Sequence, residues 1–284
     1  MGATGLIEIK RRIKSIQNTK KITKALGLVA TSKLRKTREK LRFNNLYFEE
    51  CKEVYNDVLM SYDGENIYTK GNKSPKKLYI VFTSDMGLCG AFNGTIVNYV
   101  AENVIKDDKE NNLVLVVGGR GRNLLKRYKI ETVAEYVDVE DLPTGKEAST
   151  IYKTAYELYR KGEVSEVYIV YTKFISQLKK QVELEQLLPI KKENLEERDS
   201  YLELSNNSEE LIDNVINLYF NSKVLNSMYH SKCCEQSSRM EAMEGATKNS
   251  DDLLDKLNLM YNRIRQSAIT QELSEIVGGA EAQE

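Results

Sequence analysis

Residues 211–277 run without a proline, and their apolar side chains recur at helical spacing among charged and amide residues. Leu211, Val215, Leu218, Leu225 and Met228 open a stripe; after a more polar middle it resumes as Leu254, Leu257, Tyr261, Ile264 and Ala268, in alternating steps of three and four. That period belongs to a helix seam packed against another helix. At ~1.5 Å of rise per residue an unbroken helix here reaches roughly 100 Å, far more than one globular domain buries. Such a helix needs a partner to cover its seam.

The partner lies at the start of the chain. Leu6, Ile9, Ile13 and Ile16 begin a stripe that Ile22, Leu26, Val29, Leu34 and Leu41 continue with some drift in register. Lys and Arg crowd its flanks from Lys10 to Arg42, opposed by Glu8 and Glu39. Three readings fit that density: a solvated helix face, a nucleic-acid surface, or a basic shaft against an acidic partner. Gly27, Ala30, Thr31 and Ser32 sit mid-helix, where glycine costs about 1 kcal/mol, so close approach of a second backbone is expected there.

Composition narrows the classes. All three prolines (Pro75, Pro143 and Pro189) lie in the middle, leaving both ends free to run as long helices. The net charge of zero conceals a basic first stretch and acids gathered later. Cys51, Cys89, Cys233 and Cys234 lack metal-ligand spacing and the single His230 cannot complete a Cys/His zinc site, so reduced thiols are expected. No apolar run is long enough to span a membrane. The start lacks a secretory apolar core, and its helical pattern runs on past Leu41, which reads as structure rather than a transit peptide.

Between the two ends the pattern changes. Residues 63–64 (DG) and 71–75 (GNKSP) read as a loop, after which 77–82 (KLYIVF), 113–117 (LVLVV) and 166–171 (EVYIVY) are compact β-rich runs. Helical segments are expected at 93–105, from the 118–122 glycine run to Tyr128, and at 149–161. Residues 181–188 alternate as an edge strand would, ending at Pro189. Strands alternating with helices imply a small, mostly parallel α/β domain inserted between two long helices. The organisation expected is therefore a 1–60 coiled-coil helix, a 76–190 Rossmann-like α/β domain and a 208–284 coiled-coil helix, with Asn206, Asn207 and Ser208 placed to cap the last.

Chemistry-bearing motifs are few. Gly87-Leu88-Cys89-Gly90 follows a strand and precedes a helix, where a phosphate could meet free N–H groups, but its spacing is neither G-x-G-x-x-G nor a P-loop. A structural turn explains it, and the Gly118 to Arg122 run, equally well. With one histidine no Ser/His or Cys/His pair is indicated; Cys89 reads either as a thiol activated at a helix start or as a small packed residue. The tip of the chain, Ser267 to Ala280, mixes small and apolar residues with little charge, which suits a narrow sleeve better than open water.

Three motifs carry a resemblance. Ile269-Thr270-Gln271-Glu272, then Glu275, then Gly279-Ala280-Glu281-Ala282, looks like the C-terminal signature of the γ subunits of F-type ATP synthases. Gln17-Asn18-Thr19-Lys20-Lys21-Ile22-Thr23-Lys24-Ala25-Leu26, followed by Val29-Ala30-Thr31-Ser32-Lys33, resembles that family's N-terminal motif. Ser84-Asp85-Met86-Gly87-Leu88-Cys89-Gly90-Ala91-Phe92-Asn93 is similar to its central one, with Met86 where a basic residue is usual.

The resemblance spans the chain and implies an antiparallel coiled coil of the two ends with a Rossmann-like α/β domain. It implies a rotor stalk inside a ring of α and β subunits, attached to the ε subunit and a membrane c ring, at the cytoplasmic face of a bacterial plasma membrane. It also implies no active site, no cofactor bound by this chain, no nucleic-acid partner and membrane association only through the complex. Carried over by motif, Leu26, Lys33, Arg239, Gln266, Thr270 and Glu272 correspond to contacts with β-subunit loops and bearing, and Tyr201 and Leu202 are assigned to the c ring.

Overall fold

The computed structural model describes residues 2–61, 66–106, 108–190 and 209–281. Along the chain lie α1 (Gly2–Met60), α2 (Ile67–Lys70), β1 (Lys77–Phe82), α3 (Phe92–Asn103), β2 (Asn112–Val117), α4 (Gly119–Arg127), β3 (Thr132–Tyr136), α5 (Gly145–Arg160), β4 (Glu166–Phe174), β5 (Lys180–Leu188) and α6 (Glu209–Glu281). The two end helices are long, at 59 and 73 residues. The chain divides into two compact units: Met1–Ala30 with Met240–Glu284, and Thr31–Arg239. The division cuts through both long helices rather than falling at their ends.

In the first unit α1 and α6 pair antiparallel. Gly27 faces Met243, the Thr23 and Thr247 hydroxyls meet at 2.8 Å, and Lys20 forms an ion pair with Asp251. The α1 seam runs Ile9, Ile13, Ile16, Lys20, Thr23, Gly27, Ala30, in steps of four and three. Opposite run Met243, Thr247, Ser250, Leu254, Leu257, Tyr261, Ile264 and Ala268, so the expected α6 stripe holds here. Most seam residues are only half-buried, because each helix has a single partner to cover it. Two expected α1 members lie outside: Ile22 is 60% exposed and Val29 51%. Thr23 and Ala30 take those places, since a 3.5-residue repeat continued from Ile16 lands on them. Thr23 is tolerated because its hydroxyl also reaches the Lys20 carbonyl at 3.1 Å.

The second unit is built on a five-stranded sheet of order β3-β2-β1-β4-β5, parallel except for β5. β1, β2 and β4 are Val/Ile/Leu-rich because helices cover both faces of a parallel sheet. Leu78, Ile80 and Phe82 point to one face, joined by Leu115, Val167 and Ile169, and pack with α5, α6 and the end of α1. Tyr79 and Val81 point to the other, beside Val114, Val116 and Val170, and pack with α3 and α4. β5 follows β4 after a five-residue turn, too short for a crossover, so it pairs antiparallel at the edge as its alternation suggests.

Two elements escaped the sequence pattern. β3 is a half-buried edge strand without an apolar run. α5 begins four residues before the expected Ser149, because Thr144 and Glu147 form a reciprocal capping box. The capping residues expected for α6, Asn206 to Ser208, lie outside the described residues.

The largest departure is in α6. Leu211 and Leu218 of the expected stripe are exposed, whereas Ile212, Ile216, Phe220 and Val224 are buried in the core shared with the sheet. Every residue of 226–237 is buried, although this includes the stretch that reads as polar. A helix packed on a sheet, on another helix and under loops has no solvent face, so its polar side chains must be satisfied internally. Asn226 donates to the side-chain oxygens of Asn44 (3.1 Å) and Asn45 (2.7 Å) of α1. Lys223 forms an ion pair with Glu185 of β5, which also accepts from the Tyr171 hydroxyl at 2.7 Å. Tyr55 stacks on Tyr219 with centroids 3.9 Å apart, locking α1 to α6.

Gly27 does not require its missing side chain. A Cβ there meets the Met243 Cβ at 3.5 Å, ordinary van der Waals contact. The close approach expected from sequence is thus not tight enough to exclude alanine. Gly27→Ala should stabilise the chain by about 0.5–1 kcal/mol through helix propensity. Thermal unfolding followed by helical circular dichroism checks this, and a lowered midpoint contradicts it.

Candidate functional site

Strand order reverses between β1 and β4, where an open α/β sheet ordinarily leaves a ligand crevice beyond the strands' carboxyl ends. Here α6 fills it. Cys234 packs among Cys89, Phe92 and Phe174, and its thiol donates to the Thr172 carbonyl at 3.4 Å. One turn earlier His230 Nδ1 accepts the Phe174 N–H at 3.2 Å, which assigns the ring proton to Nε2. Burial, and then Lys173 and Lys223, hold this histidine neutral, with its pKa lowered to about 4.

The glycine-rich turn after β1 is organised from within. Ser84 N–H donates to Asn93 Oδ1 at 2.9 Å, Asn93 Nδ2 donates back to Ser84 Oγ at 2.7 Å, and Ser84 Oγ donates to the Met86 carbonyl at 2.7 Å. The Asp85 carboxylate accepts the Gly119 N–H at 2.9 Å and the Val139 N–H at 3.1 Å. Gly119 opens α4, so the place where an anion would meet a helix N-terminus holds the chain's own carboxylate. Gly118 has φ +107°, and a Cβ there would lie 2.6 Å from Thr83 Oγ1. The second glycine run is therefore explained by the approach of α4 to the end of β1.

Arg239 ties α6 to this turn. Its guanidinium donates to the Gly87 carbonyl at 3.2 and 3.3 Å, to the Met86 carbonyl at 3.2 Å, to Gln236 Oε1 at 3.0 Å and to Glu235 Oε1 at 2.9 Å. Glu235 is buried between Arg239 and Lys232. A second set of contacts holds residues 139–143, between β3 and α5. Lys232 donates to the Val139 carbonyl at 3.2 Å, Tyr229 to the Pro143 carbonyl at 2.8 Å and Gln236 to Asp141 at 3.3 Å. Asp141 in turn pairs with Lys33 of α1 at 2.5 Å. Met86 and Leu88, with Leu88 at φ +61°, are left exposed on the clamped turn.

The residues assigned by motif therefore fall into separate places. Leu26 is half-buried beside the α1 seam, and Lys33 and Arg239 are engaged within the second unit. Gln266 and Thr270 are exposed on α6, with the Thr270 hydroxyl donating to the Gln266 carbonyl at 2.9 Å. Glu272 lies in α6, its side chain outside the described set, and Tyr201 and Leu202 lie outside the described residues. Sequence reasoning quoted Asp85 within the central motif without giving it a role, and missed Asp141, Glu235 and Lys232. The only signal for them was an acid beside a glycine run and charges at i, i+3 and i+4 on a helix.

The four cysteines are buried free thiols; Cys89 accepts from Asn93 Nδ2 at 3.2 Å, and burial pushes Cys233 up to about 12. Among the described residues no group of three or more His, Cys, Asp or Glu side chains is placed to hold a metal ion, and no helix is long and apolar enough to cross a membrane.

A family model described as ATP synthase matches residues 5–283. ATP synthase gamma chains of Clostridium botulinum strain Eklund 17B and Clostridium novyi are 50% and 51% identical to this chain, each over the full length of both sequences. Among solved structures, the central stalk and c-ring of the Tetrahymena thermophila mitochondrial ATP synthase contains a chain 25% identical (TM-score 0.61, covering 79% of this chain and 99% of that one). A chain of the Euglena gracilis mitochondrial ATP synthase, solved as OSCP/F1/c-ring in rotational state 3, shares the fold at 18% identity (TM-score 0.75, covering 99% and 95%).

Removing Arg239 leaves the buried Glu235 carboxylate with Lys232 alone, at 3.6 Å, and takes the guanidinium from the Gly87 carbonyl, so Arg239→Ala should lose about 3 kcal/mol. Arg239→Lys should recover little, because an ammonium cannot span the same acceptors. Urea unfolding of both variants decides, and a loss within 0.5 kcal/mol of zero, ~the scatter of surface substitutions, contradicts the clamp.

The His230 shift also has a sign. The unfolded imidazole gains its proton near pH 6.5 and the folded one near 4. Stability due to the neutral ring is complete above pH 6.5 and falls by about 3 kcal/mol as pH drops towards 4. His230→Asn, whose side-chain oxygen can accept the same N–H, should lack this component. Urea unfolding at pH 7 and pH 4.5 compares the two chains; equal losses count against the assignment.

Proposed function

The chain belongs to the ATP synthase gamma-chain family, a peripheral component of a membrane complex, and from that premise we propose that it couples ion-driven rotation to the catalytic sites of neighbouring subunits without catalysing a reaction itself. The observation that carries the reading is the far end of α6. There Ile269, Leu273, Ile276 and Val277 are all exposed, an apolar surface on a helix whose seam has already been given to α1. Such a surface calls for another protein. A collar formed by a ring of α and β subunits is the partner that fits.

In this reading the shaft acts by differential contact: each orientation must favour one conformation of a catalytic subunit over another, or turning would shift no equilibrium. Leu26, Lys33, Gln266, Thr270 and Glu272 meet β-subunit loops, and Arg239 contributes through the turn it holds, which presents Met86 and Leu88. The ε subunit and the c ring attach at the other end, with Tyr201 and Leu202 assigned to the c ring. No nucleotide is bound by this chain, a reading supported by α6 side chains and Asp85 occupying the places a phosphate would use. Clostridial relatives support a location at the cytoplasmic face of a bacterial plasma membrane.

Co-expression with α and β subunits, native mass spectrometry and an ATPase assay test the reading. One copy of this chain with equal numbers of α and β, active only when assembled, is expected; a free chain that hydrolyses nucleotide or binds DNA overturns it. Within the whole complex, Leu26→Lys adds a cation facing acidic β loops and biases one orientation. ATP hydrolysis should persist while ions pumped per ATP fall about fivefold, the lower end of a typical coupling energy. Proton or sodium uptake by reconstituted vesicles measures this, and unchanged pumping per ATP rules out the contact.

A further inference from the structure

β4 outlasts its neighbour. Its pairing with β1 ends at Val170 opposite Val81, yet the strand runs on to Phe174, which is paired on its other side with Lys180 of β5. Where β1 has ended, the backbone groups of Thr172 and Phe174 find no strand among the described residues, and Thr172 is buried, so another partner is needed. α6 supplies it. His230 Nδ1 accepts the Phe174 N–H at 3.2 Å and the Cys234 thiol donates to the Thr172 carbonyl at 3.4 Å. Residues four apart on a helix are separated by about 6 Å of rise and residues two apart on a strand by about 6.7 Å. The two side chains therefore match the two backbone groups, with helix and strand running in opposite directions.

Of the two bonds, the one to His230 carries the alignment, because a thiol is a weak donor and a bare imidazole nitrogen is a full acceptor. It accepts only while Nδ1 holds no proton, so the bond and a proton at that atom exclude one another. The surroundings keep the ring neutral. β4 places Lys173 near it and Tyr171 with ring centroids 5.9 Å away, and α6 itself adds Lys223. α1 brings Arg38, which lines a groove with Phe174. The acid that favours the protonated ring, Glu185 of β5, is engaged by Lys223 and by the Tyr171 hydroxyl. Lys180 of β5 donates to Ser238, further along α6, at 3.2 Å.

We propose that His230 is a positioning residue for coupling: as a neutral acceptor standing where a strand would, it fixes the angle of α6 about its own axis against the end of β4, and a proton at Nδ1 releases that hold. The proposal rests on the reading of the chain as a stalk subunit. It assigns the transfer of torque between sheet and helix to a buried contact within this chain.

The test compares the unaltered chain with His230→Leu, which fills the space without an acceptor, and His230→Asn, whose Oδ1 takes the place of Nδ1. Each is co-assembled with the other subunits and reconstituted in vesicles. ATP hydrolysis should persist in all three. Ions pumped per ATP should fall about twofold in His230→Leu, less than the fivefold end of a coupling energy because one contact among several is lost, and recover in His230→Asn. The Phe174 amide reads the contact directly. In the full chain its hydrogen-exchange protection, corrected for the intrinsic rate, should fall about tenfold, equivalent to ~1.4 kcal/mol, for His230→Leu at pH 7 and for the unaltered chain at pH 4.5. His230→Asn should keep its protection at both pH values. Unchanged pumping in His230→Leu, no recovery in His230→Asn, or protection that neither substitution nor acid alters overturns the proposal. Should His230→Leu fail to assemble, pumping per ATP by the unaltered and His230→Asn complexes as the pH is lowered decides: the former should lose it first, and equal losses overturn the assignment. If the unaltered chain yields no pumping complex, the stalk reading falls and the coupling role with it; a pumping complex that His230→Leu leaves unchanged removes the role of His230 alone.

Discussion

A helix can be held against rotation about its own axis only by contacts that depend on angle. An apolar seam alone resists separation more than it resists slippage, because dispersion and hydrophobic terms are weakly directional. The second unit answers this with residues 226–237 of α6, buried on every side and hydrogen-bonded in several directions at once. Asn226 reaches α1, His230 and Cys234 reach the end of β4, Tyr229 and Lys232 reach the loop before α5, and Arg239 reaches the turn after β1. Turning the helix breaks these together, and each orphaned group then bears its desolvation penalty. The sheet is in effect a socket for one helix.

The same helix occupies the crevice that a Rossmann-like arrangement ordinarily leaves beyond its strands. The geometry that elsewhere exposes backbone N–H groups to a phosphate is retained: a strand, a glycine-rich turn and a helix start. Asp85 then satisfies the Gly119 N–H, and Cys234 with Phe174 and Phe92 fills the space beyond the strands. At these two places side chains of the chain itself stand where a ligand would be met, and function is decided by the side chains at a site rather than by the fold.

The helix pair shows the complementary economy. Where only two helices meet, in the first unit, the seam accepts Thr23, Gly27, Ala30, Thr247 and Ser250 among its members. Small and hydroxyl-bearing residues fix register at the expense of apolar burial, since a slip would separate Thr23 from Thr247 and place larger side chains in their stead. Further along α6, Ile269, Leu273, Ile276 and Val277 are exposed.

Much of this was legible in the residues. The two long helices, the central strands β1, β2 and β4 and the β5 edge follow from periodicity, proline placement and runs of β-branched residues, all of which act over a few neighbouring positions. The motifs carried the family. Local pattern did not reveal that the polar middle of α6 is its most buried part, because polarity predicts exposure only when no partner group is available, and the partners come from β4, β1 and two loops far away in sequence. Nor did it reveal that Ile22 and Val29 face water while Thr23 and Ala30 face α6, since a 3.5-residue repeat is set by the opposing helix and not by apolar content alone. Arg239 was recognisable by motif, yet its engagement with Gly87 and Glu235 needed the fold. The sequence by itself determined which segments are helix and strand and to which family they belong; the tertiary structure decided which side chains are clamped, which are left unpaired and which face outward, because those depend on distances between residues that the chain order keeps apart.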